Sequence, residues 1–450
     1  MAATAATAIS AGLAGLAVGP AHAAGATAPG PAASSRPAAG PAATNYSTPG
    51  GLGGVAAAAA SNAWAVGGTG RKVLMLHWNG AKWSRVTSPK VLIGTDALDA
   101  ITVVSAKDAW AVGYTGTNAS DHTLLLHWNG KTWSQVTSPK PVGGTLRAVS
   151  ATASGGWAVG DAHPGGAAFY PLILRLTGTT WSRPKTAYGT HADDDVILDG
   201  VAVTHGSTAW AAGTTQETSG LARWNGKTWT SEYALFPLPG QYFFTGIATG
   251  PVGTGFVVGS ESHFPAGPTP FSGRLTGTTW KKVTVSAPSN AQLNAVTFAP
   301  GGTAWAAGAV GTRALIVRWT GSAWARITSP SPGSRSAMAG LGFSASNYGW
   351  AVGTSGLDTL ILHWNGKAWT RVTSPSTSAV LNGLGFASAK YGHALAPVVS
   401  RSNRHGGTIL PGREPGLVES IRHHDPTRSE QGPVAADPIR PRVRVLLRVT

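Results

Sequence analysis

The most site-like residues of this sequence are four aspartates that lie close together. Asp193, Asp194 and Asp195 are consecutive, and Asp199 follows them. Closely spaced carboxylate oxygens are the hard ligands that Ca²⁺ takes, so a metal loop is one interpretation. The usual calcium loop places its aspartates at alternate positions before a glycine, and this run does not. The three consecutive aspartates are therefore only weak metal candidates, and a solvated loop is the simpler interpretation.

Catalytic groups are scarce in the sequence. Glycoside hydrolysis generally uses two carboxyl groups that flank the bond to be broken. Residues 52–399 contain three glutamates, Glu217, Glu232 and Glu261, and none stands in a recognisable motif. The chain has no cysteine, which rules out disulfides, thiolate metal sites and cysteine nucleophiles. We predict no catalytic residues, no cofactor and no enzymatic activity.

Seven cationic side chains share one position of a repeat: His77, His127, Arg175, Arg223, Arg274, Arg318 and His363. They have two interpretations, a basic ring that binds a ligand or structural groups that stack on tryptophan. Each of these residues belongs to a different copy of the repeat, and such equivalent positions are distributed over the structure instead of gathering at one site. We therefore favour the structural role.

That repeat organises most of the chain. Ala63-Trp64-Ala65-Val66-Gly67 recurs six more times, and the aromatic positions are 45 to 53 residues apart. A second block, His77-Trp78-Asn79-Gly80-Ala81-Lys82-Trp83, follows each copy of the first. A period of this length is typical of propellers and repeat arrays.

All 18 tryptophans fall in these two blocks, and Phe256, Leu176 and Leu275 fill the positions where tryptophan is missing. Replacement by another large apolar residue is what packing demands, so we assign the tryptophans to the architecture. The opening and closing tryptophans of the repeats are Trp64, Trp83, Trp110, Trp133, Trp157, Trp181, Trp210, Trp229, Trp280, Trp305, Trp324, Trp350 and Trp369.

Each repeat contains four strand-like segments separated by turn residues. In the second repeat these are Leu98–Val104, Ala109–Tyr114, Thr123–Trp128 and Thr132–Thr137. Asn129-Gly130 between the last two predicts a type I′ hairpin turn. Four antiparallel strands per repeat make one propeller blade. The sequence therefore predicts an all-β, seven-bladed β-propeller, with eight blades, the last incomplete, as the alternative.

The Trp-Ala-Val-Gly strand and the Asn-Gly-x-x-Trp hairpin resemble the tandem propeller repeats of secreted actinobacterial proteins of unknown function. They are also similar to BNR or Asp-box propellers, which include sialidase-like proteins and photosystem II assembly factors. The resemblance covers residues 52–399 and implies a fold more than a function. His77, Trp78, Asn79, Gly80 and Trp83 stand where an Asp box would present Ser-x-Asp-x-Gly-x-x-Trp.

The ends of the chain differ from the repeats. Residues 1–23 read as a signal peptide that ends in Ala21-His22-Ala23, although no Lys or Arg precedes the apolar stretch. Residues 24–50 read as a disordered Ala/Pro/Gly linker, and residues 51–399 as the propeller. An eighth copy begins at Leu381, but His393 stands where tryptophan is due. Residues 400–450 are expected to be a disordered basic tail, either natural or produced by a frameshift.

Charge and hydropathy limit the possible partners. The net charge is +16, and lysines recur at hairpin positions such as Lys82, Lys131, Lys227 and Lys367. This is a diffuse basic rim without a nucleic-acid motif, and no stretch beyond the leader is apolar enough for a membrane span. We expect a secreted monomer that acts as a binding scaffold for an anionic glycan, a cell-wall polymer or a protein. A sialidase-like, carbohydrate-active enzyme is the alternative.

We expect the ligand surface to be formed by variable loops at one ring face, above all by the insertions at 161–170, 187–198 and 260–271. A carboxylate pair at the central channel would favour the enzyme, and its absence would favour the scaffold.

Overall fold

The structure is a computed structural model of the 450-residue chain. It describes residues 9–10, 12–13, 46–49, 51–59, 62–69, 72–79, 83–89, 95–116, 122–139, 143–162, 169–184, 196–204, 208–214, 220–231, 241–251, 253–263, 267–330, 335–356, 358–372, 380–381, 385–386, 394–396, 398–399 and 442–447.

Seven antiparallel sets of four strands follow one another along the chain, one for each repeat; blades 4 and 5 are joined into one sheet by the pairing of Thr214 with Phe243. The strands of the first four blades are Gly51–Ala59, Asn62–Gly68, Val73–Trp78 and Trp83–Arg85; Thr95–Ser105, Asp108–Gly116, His122–Trp128 and Trp133–Gln135; Thr145–Thr152, Gly155–Ala162, Tyr170–Thr177 and Thr180–Ser182; Ile197–Val203, Ala209–Thr214, Gly220–Trp224 and Trp229–Ser231. Those of blades 5 to 7 are Gln241–Thr249, Thr254–His263, Gly267–Thr276 and Thr279–Lys282; Ala291–Phe298, Ala304–Val310, Arg313–Trp319 and Trp324–Arg326; Ser336–Ala345, Tyr348–Ser355, Asp358–Trp364 and Trp369–Arg371.

The blades are arranged as a propeller. The first strand of each blade contacts the first strand of the next from blade 1 to blade 7, so the first strands lie innermost and surround the axis. The apolar side chains of neighbouring sheets form six separate cores, one between each successive pair of blades. The predicted all-β propeller of four-stranded antiparallel blades is confirmed, with seven complete blades and, as the alternative allowed, strands of an incomplete eighth.

The two faces of the ring carry different connections. We call the hairpin face the one that holds the turns from first to second strand and from third to fourth strand. We call the loop face the one that holds the turns from second to third strand and the links between blades. The expected ligand loops at 161–170, 187–198 and 260–271 begin or end at the loop face.

A β-bulge interrupts the innermost strand of every blade at the same repeat position. In blade 2 the pairing of Leu98 with Gly113 is followed by that of Ala100 with Val112, so Asp99 is the extra residue. A Cβ on Gly113 would lie 2.1 Å from the carbonyl oxygen of Ala97. The glycine that ends each Trp-Ala-Val-Gly motif is therefore required by the close approach of the bulged strand.

The Asn-Gly hairpins differ from the type I′ turn that we predicted. Trp128 pairs with Trp133, which leaves a four-residue connection instead of two central residues. Gly130 has a φ of +90°, but among the described non-glycine residues only Arg335 has a positive φ, so Asn129 does not meet the type I′ requirement. The Asn129 side-chain oxygen accepts hydrogen bonds from the backbone N–H groups of Lys131 and Thr132 at 2.9 Å each. Asparagine suits this turn because its side-chain oxygen accepts the backbone hydrogen bonds, and glycine suits it because it adopts a positive φ.

Further short strands lie between blade 7 and blade 1. Gly385–Phe386, Ala394–Ala396, Arg442–Leu447 and Tyr46–Pro49 pair in this order as one sheet, which we call the closing sheet. Gly385–Phe386 contacts the innermost strands of both blade 7 and blade 1. Val380–Leu381 pairs with Val398–Val399, and Ile9–Ser10 pairs with Gly12–Leu13 and, at Ile9, with Ile101. The predicted disorder of the linker and tail stays a prediction for residues outside these strands.

Every regular element among the described residues is a strand. No helix that is long and apolar enough to cross a membrane occurs in this part of the chain.

Candidate functional site

Six of the seven repeated His and Arg side chains stack on the opening aromatic residue of their own blade. The His77 ring lies 4.3 Å from that of Trp64, and the His127 ring lies 4.2 Å from that of Trp110. The same contact recurs at His363 with Trp350, Arg175 with Trp157, Arg223 with Trp210 and Arg318 with Trp305, whereas Arg274 lies over Trp319 of the next blade. Burial lowers the pKa of His77 and of His363. Each group lies against its own blade or the next, with Arg175 and Arg318 exposed, and the seven are distributed around the ring instead of gathered at one site.

The closing tryptophans occupy the cores between blades. Trp133 of blade 2 meets Trp64 of blade 1 edge to face, with 5.2 Å between ring centroids. Equivalent pairs are Trp110–Trp181, Trp157–Trp229, Trp210–Trp280, Phe256–Trp324 and Trp305–Trp369. Trp324 donates its indole N–H to Ser272 Oγ at 2.9 Å, while the buried Nε1 atoms of Trp83, Trp133, Trp181, Trp229, Trp280 and Trp369 have no acceptor in the described part of the chain.

Non-repeating polar residues gather at the bulges of the innermost strands. The residue before each bulge is Leu, Phe or Met, and the residue after it is Ala or Gly. The bulged residue itself changes from blade to blade: Gly53, Asp99, Arg147, Asp199, Thr245, Asn294 and Ala339. The flanking residues keep their character while the bulged residue varies and is polar in five of the seven blades, and all seven positions lie near the loop-face end of the central channel.

Several bulged residues interact with the next blade. Arg147 donates from Nε to Asp161 Oδ1 at 2.5 Å, and its Nη1 lies 3.9 Å from Asp199 Oδ1. Burial lowers the pKa of Arg147, but Asp161, Asp199 and Asp99 outweigh that effect and leave the pKa raised. Arg147 and these three aspartates form the channel-mouth cluster.

Two further bulged residues continue this pattern. Thr245 Oγ1 donates to the Leu293 carbonyl of blade 6 at 2.6 Å. Asn294 Nδ2 donates to the Met338 carbonyl of blade 7 at 2.8 Å. Each of the two accepting carbonyls belongs to the residue before the bulge of its own blade.

Two other acids are buried at the loop face. Asp96 accepts a hydrogen bond from Thr115 Oγ1 at 2.5 Å, and burial raises its pKa against the lowering effect of that bond. Glu261 is paired with Lys282 and accepts from Thr269 Oγ1 at 3.4 Å. The described strand ends of the loop face therefore carry acidic groups in a chain whose net charge is strongly positive.

The hairpin face has the opposite character. Lys107, Lys131, Lys227 and Lys367 are exposed on its turns. Asn225 and Asn365 hold their turns as Asn129 does, because their side-chain oxygens accept hydrogen bonds from the backbone N–H groups two and three residues further on. Among the described acids this face holds Asp108, which is bonded to His127 Nε2 at 3.0 Å. Lys82 lies outside the described residues.

The predicted metal candidates Asp193, Asp194 and Asp195 lie outside the described residues, so that prediction stays untested. Within the described ranges no three His, Asp or Glu side chains are placed to hold a metal ion.

Sequence reasoning missed the channel-mouth cluster. Its signal was available, because a variable residue stands between a large apolar residue and Ala or Gly in every first strand. Asp199 was noted only as a neighbour of the three consecutive aspartates.

The comparisons with known proteins concern the fold. No family model matches the chain, and no curated protein matches it. The similar solved structures are β-propellers. YCF48 bound to a D1 peptide has 13% identity and a TM-score of 0.46, with 74% of this chain and 98% of that chain covered. YCF48 from Cyanidioschyzon merolae has 12% identity and a TM-score of 0.42, with 78% and 94% covered.

A polysaccharide lyase, an ulvan lyase bound to -[GlcA(1-4)Rha3S]-, has 9% identity and a TM-score of 0.41, with 79% of this chain and 93% of that chain covered. At such identities these neighbours say nothing about what this chain binds. The chain is a β-propeller built from tandem tryptophan-rich blades. Its function has to be argued from its own two faces.

Proposed function

We propose that this protein is a secreted, non-catalytic binding scaffold whose hairpin face docks an anionic glycan or cell-wall polymer. The observation that carries the proposal is the charge of that face. Four lysines are exposed on its turns, and the acid that the described residues place there, Asp108, is already bonded to His127. An extended polyanion can contact several blades at once, and multiple weak ion pairs then add up.

The choice of face revises our expectation from the sequence. The variable loops begin at the loop face, but its described strand ends bring Asp96, Asp99, Asp161, Asp199 and Glu261 to that side. At that face Arg147 and Lys282 are already paired with Asp161 and Glu261, whereas the four hairpin-face lysines are exposed and available to an anionic polymer.

The experiment is a binding array of glycans and cell-wall polymers with the full-length chain, followed by a matched pair of quadruple variants. The first changes Lys107, Lys131, Lys227 and Lys367 to Gln. The control changes Lys72, Lys281, Arg313 and Arg326 to Gln, four exposed cations away from the hairpin turns, and lowers the net charge equally.

We expect the hairpin-face variant to lose about tenfold in affinity, since four exposed ion pairs contribute about 0.2–1 kcal/mol each. The control should bind like the parent, and salt should weaken the parent. Equal losses in both variants would show that net charge, not this face, determines binding.

A carbohydrate-active enzyme is the second candidate, and one observation favours it. Asp161 and Asp199 both approach Arg147 near the central channel, where a carboxylate pair would be needed. Against it, the Asp161 side chain is only 2% exposed and bonded to the arginine. Incubation of the array polymers with the protein, analysed for released sugars, tests this function. Release that disappears in Asp199→Asn would overturn the non-catalytic proposal.

A further inference from the structure

One aromatic contact recurs between successive blades, and blade 7 lacks it on its outer side. From blade 1 to blade 6 the opening aromatic of each blade packs against the closing tryptophan of the next blade. The opening aromatic is then fully covered, as shown by Trp64, with 2% of its surface exposed, and Trp305, also with 2%.

Trp350 opens blade 7 and differs from its six equivalents. It is half-buried, while every other opening aromatic is buried. Its ring contacts are with His363 at 4.5 Å and Tyr348 at 6.2 Å, both within its own blade. The closing tryptophan that would cover it belongs to an eighth blade.

Within the described residues, repeat sequence supplies only the inner part of that blade. Leu381-Asn382-Gly383-Leu384-Gly385-Phe386 repeats Met338-Ala339-Gly340-Leu341-Gly342-Phe343 of blade 7 closely, and Gly385–Phe386 lies at the axis as the repeat demands. The third and outermost strands of the closing sheet come from Arg442–Leu447 and Tyr46–Pro49, which are not repeat sequences. No tryptophan occurs after Trp369.

We propose that the blade-7 side of the closing sheet is a docking surface for a β-hairpin of the repeat type, with the pattern His-Trp-Asn-Gly-x-x-Trp, supplied by a second polypeptide. The occupant is defined by the six equivalent contacts, because in each of them a tryptophan at the end of such a hairpin covers the opening aromatic. The incoming hairpin would replace Arg442–Leu447 and Tyr46–Pro49 as the outer strands. This is strand addition to an existing sheet, with a tryptophan as its anchor.

The test uses the full-length protein and a labelled synthetic peptide with the sequence of residues 358–373, which is the hairpin of blade 7. The control peptide carries Trp369→Ala and needs no change in the protein. Binding is measured by fluorescence anisotropy. Oxidative footprinting with mass spectrometry measures the exposure of Trp350.

We expect saturable binding of the parent peptide that weakens at least about tenfold with the control peptide, as is typical for loss of a central aromatic anchor. Trp350 should be oxidised ahead of the other opening tryptophans and be protected by the parent peptide. Trp350→Leu in the protein, which removes the aromatic ring but keeps apolar volume, should weaken binding without unfolding the blade.

Equal binding of both peptides, or binding that leaves the oxidation of Trp350 unchanged, would overturn the proposal, as would the absence of binding. The outcome is independent of the hairpin-face lysines. The quadruple lysine variant should bind the peptide like the parent.

Discussion

Trp133→Ala tests whether the repeated tryptophans are architecture. Trp133 is 6% exposed and packs edge to face on Trp64 across the interface between blades 1 and 2. A buried tryptophan removes about 150–250 Å² from water, which at about 25 cal/mol per Å² corresponds to about 4–6 kcal/mol. Its Nε1 has no acceptor in the described structure, so no hydrogen bond is lost. We expect a loss of about 3–5 kcal/mol in the free energy of unfolding, in line with other buried tryptophans.

The matched control is Trp350→Ala, which removes the same side chain from a half-buried position. Its cost should be smaller, because less of its area is removed from water. Denaturant unfolding of both variants, monitored by circular dichroism, gives the two free energies. Polymer binding by the folded fraction of Trp133→Ala should be intact. A Trp133→Ala variant that unfolds like the parent but loses binding would show that the repeated tryptophans are a ligand surface.

Three further changes test other parts of the structure. Arg147→Leu leaves the buried Asp161 without its cation and should destabilise by about 3–5 kcal/mol, and a second change, Asp161→Asn, should recover much of that loss in a double-mutant cycle. His77 and His363 have pKa values lowered by burial from 6.5, so the unfolded chain takes up protons first as the pH falls below about 6.5. The contribution of these histidines to stability should therefore be complete above that pH and be lost as the pH falls. The double variant His77→Phe, His363→Phe should show a smaller decrease in melting temperature between pH 7.5 and about 5. A decrease equal to that of the parent would contradict this. Changing Asp193, Asp194 and Asp195 together to Ala should alter stability by less than about 0.5 kcal/mol, while a Ca²⁺-dependent melting temperature that this variant abolishes would revive the metal loop.

The repeat made the fold predictable, because seven copies of a strand-and-hairpin pattern leave little freedom for another architecture. It also made the packing roles of Trp64, Trp133 and their equivalents recognisable, since a position that recurs in every blade serves what every blade needs. The turn type at Asn129-Gly130 was wrong because the composition of a turn does not fix its length. The pairing of Trp128 with Trp133 fixes it, and this depends on the whole sheet.

The channel-mouth cluster was missed for a related reason. Asp99, Arg147 and Asp199 are about 50 residues apart in sequence, and each looks like an ordinary surface charge. They meet because bulges place one residue per blade near the same end of the axis. A search for local motifs cannot find a site that is made from one residue per repeat.

The closing sheet also has a consequence for how the molecule folds. Each blade is built from neighbouring segments, so six of the interfaces can form one after another as the chain is synthesised, each with a modest cost of loop closure. The pairing of Tyr46 with Val445 joins segments about 400 residues apart and can form only after residues 442–447 have been synthesised. Emergence of this segment from the ribosome should then be the step that turns a stack of finished blades into a ring. A stalled or truncated product would remain an open arc, with the first strand of blade 1 available for unwanted pairing.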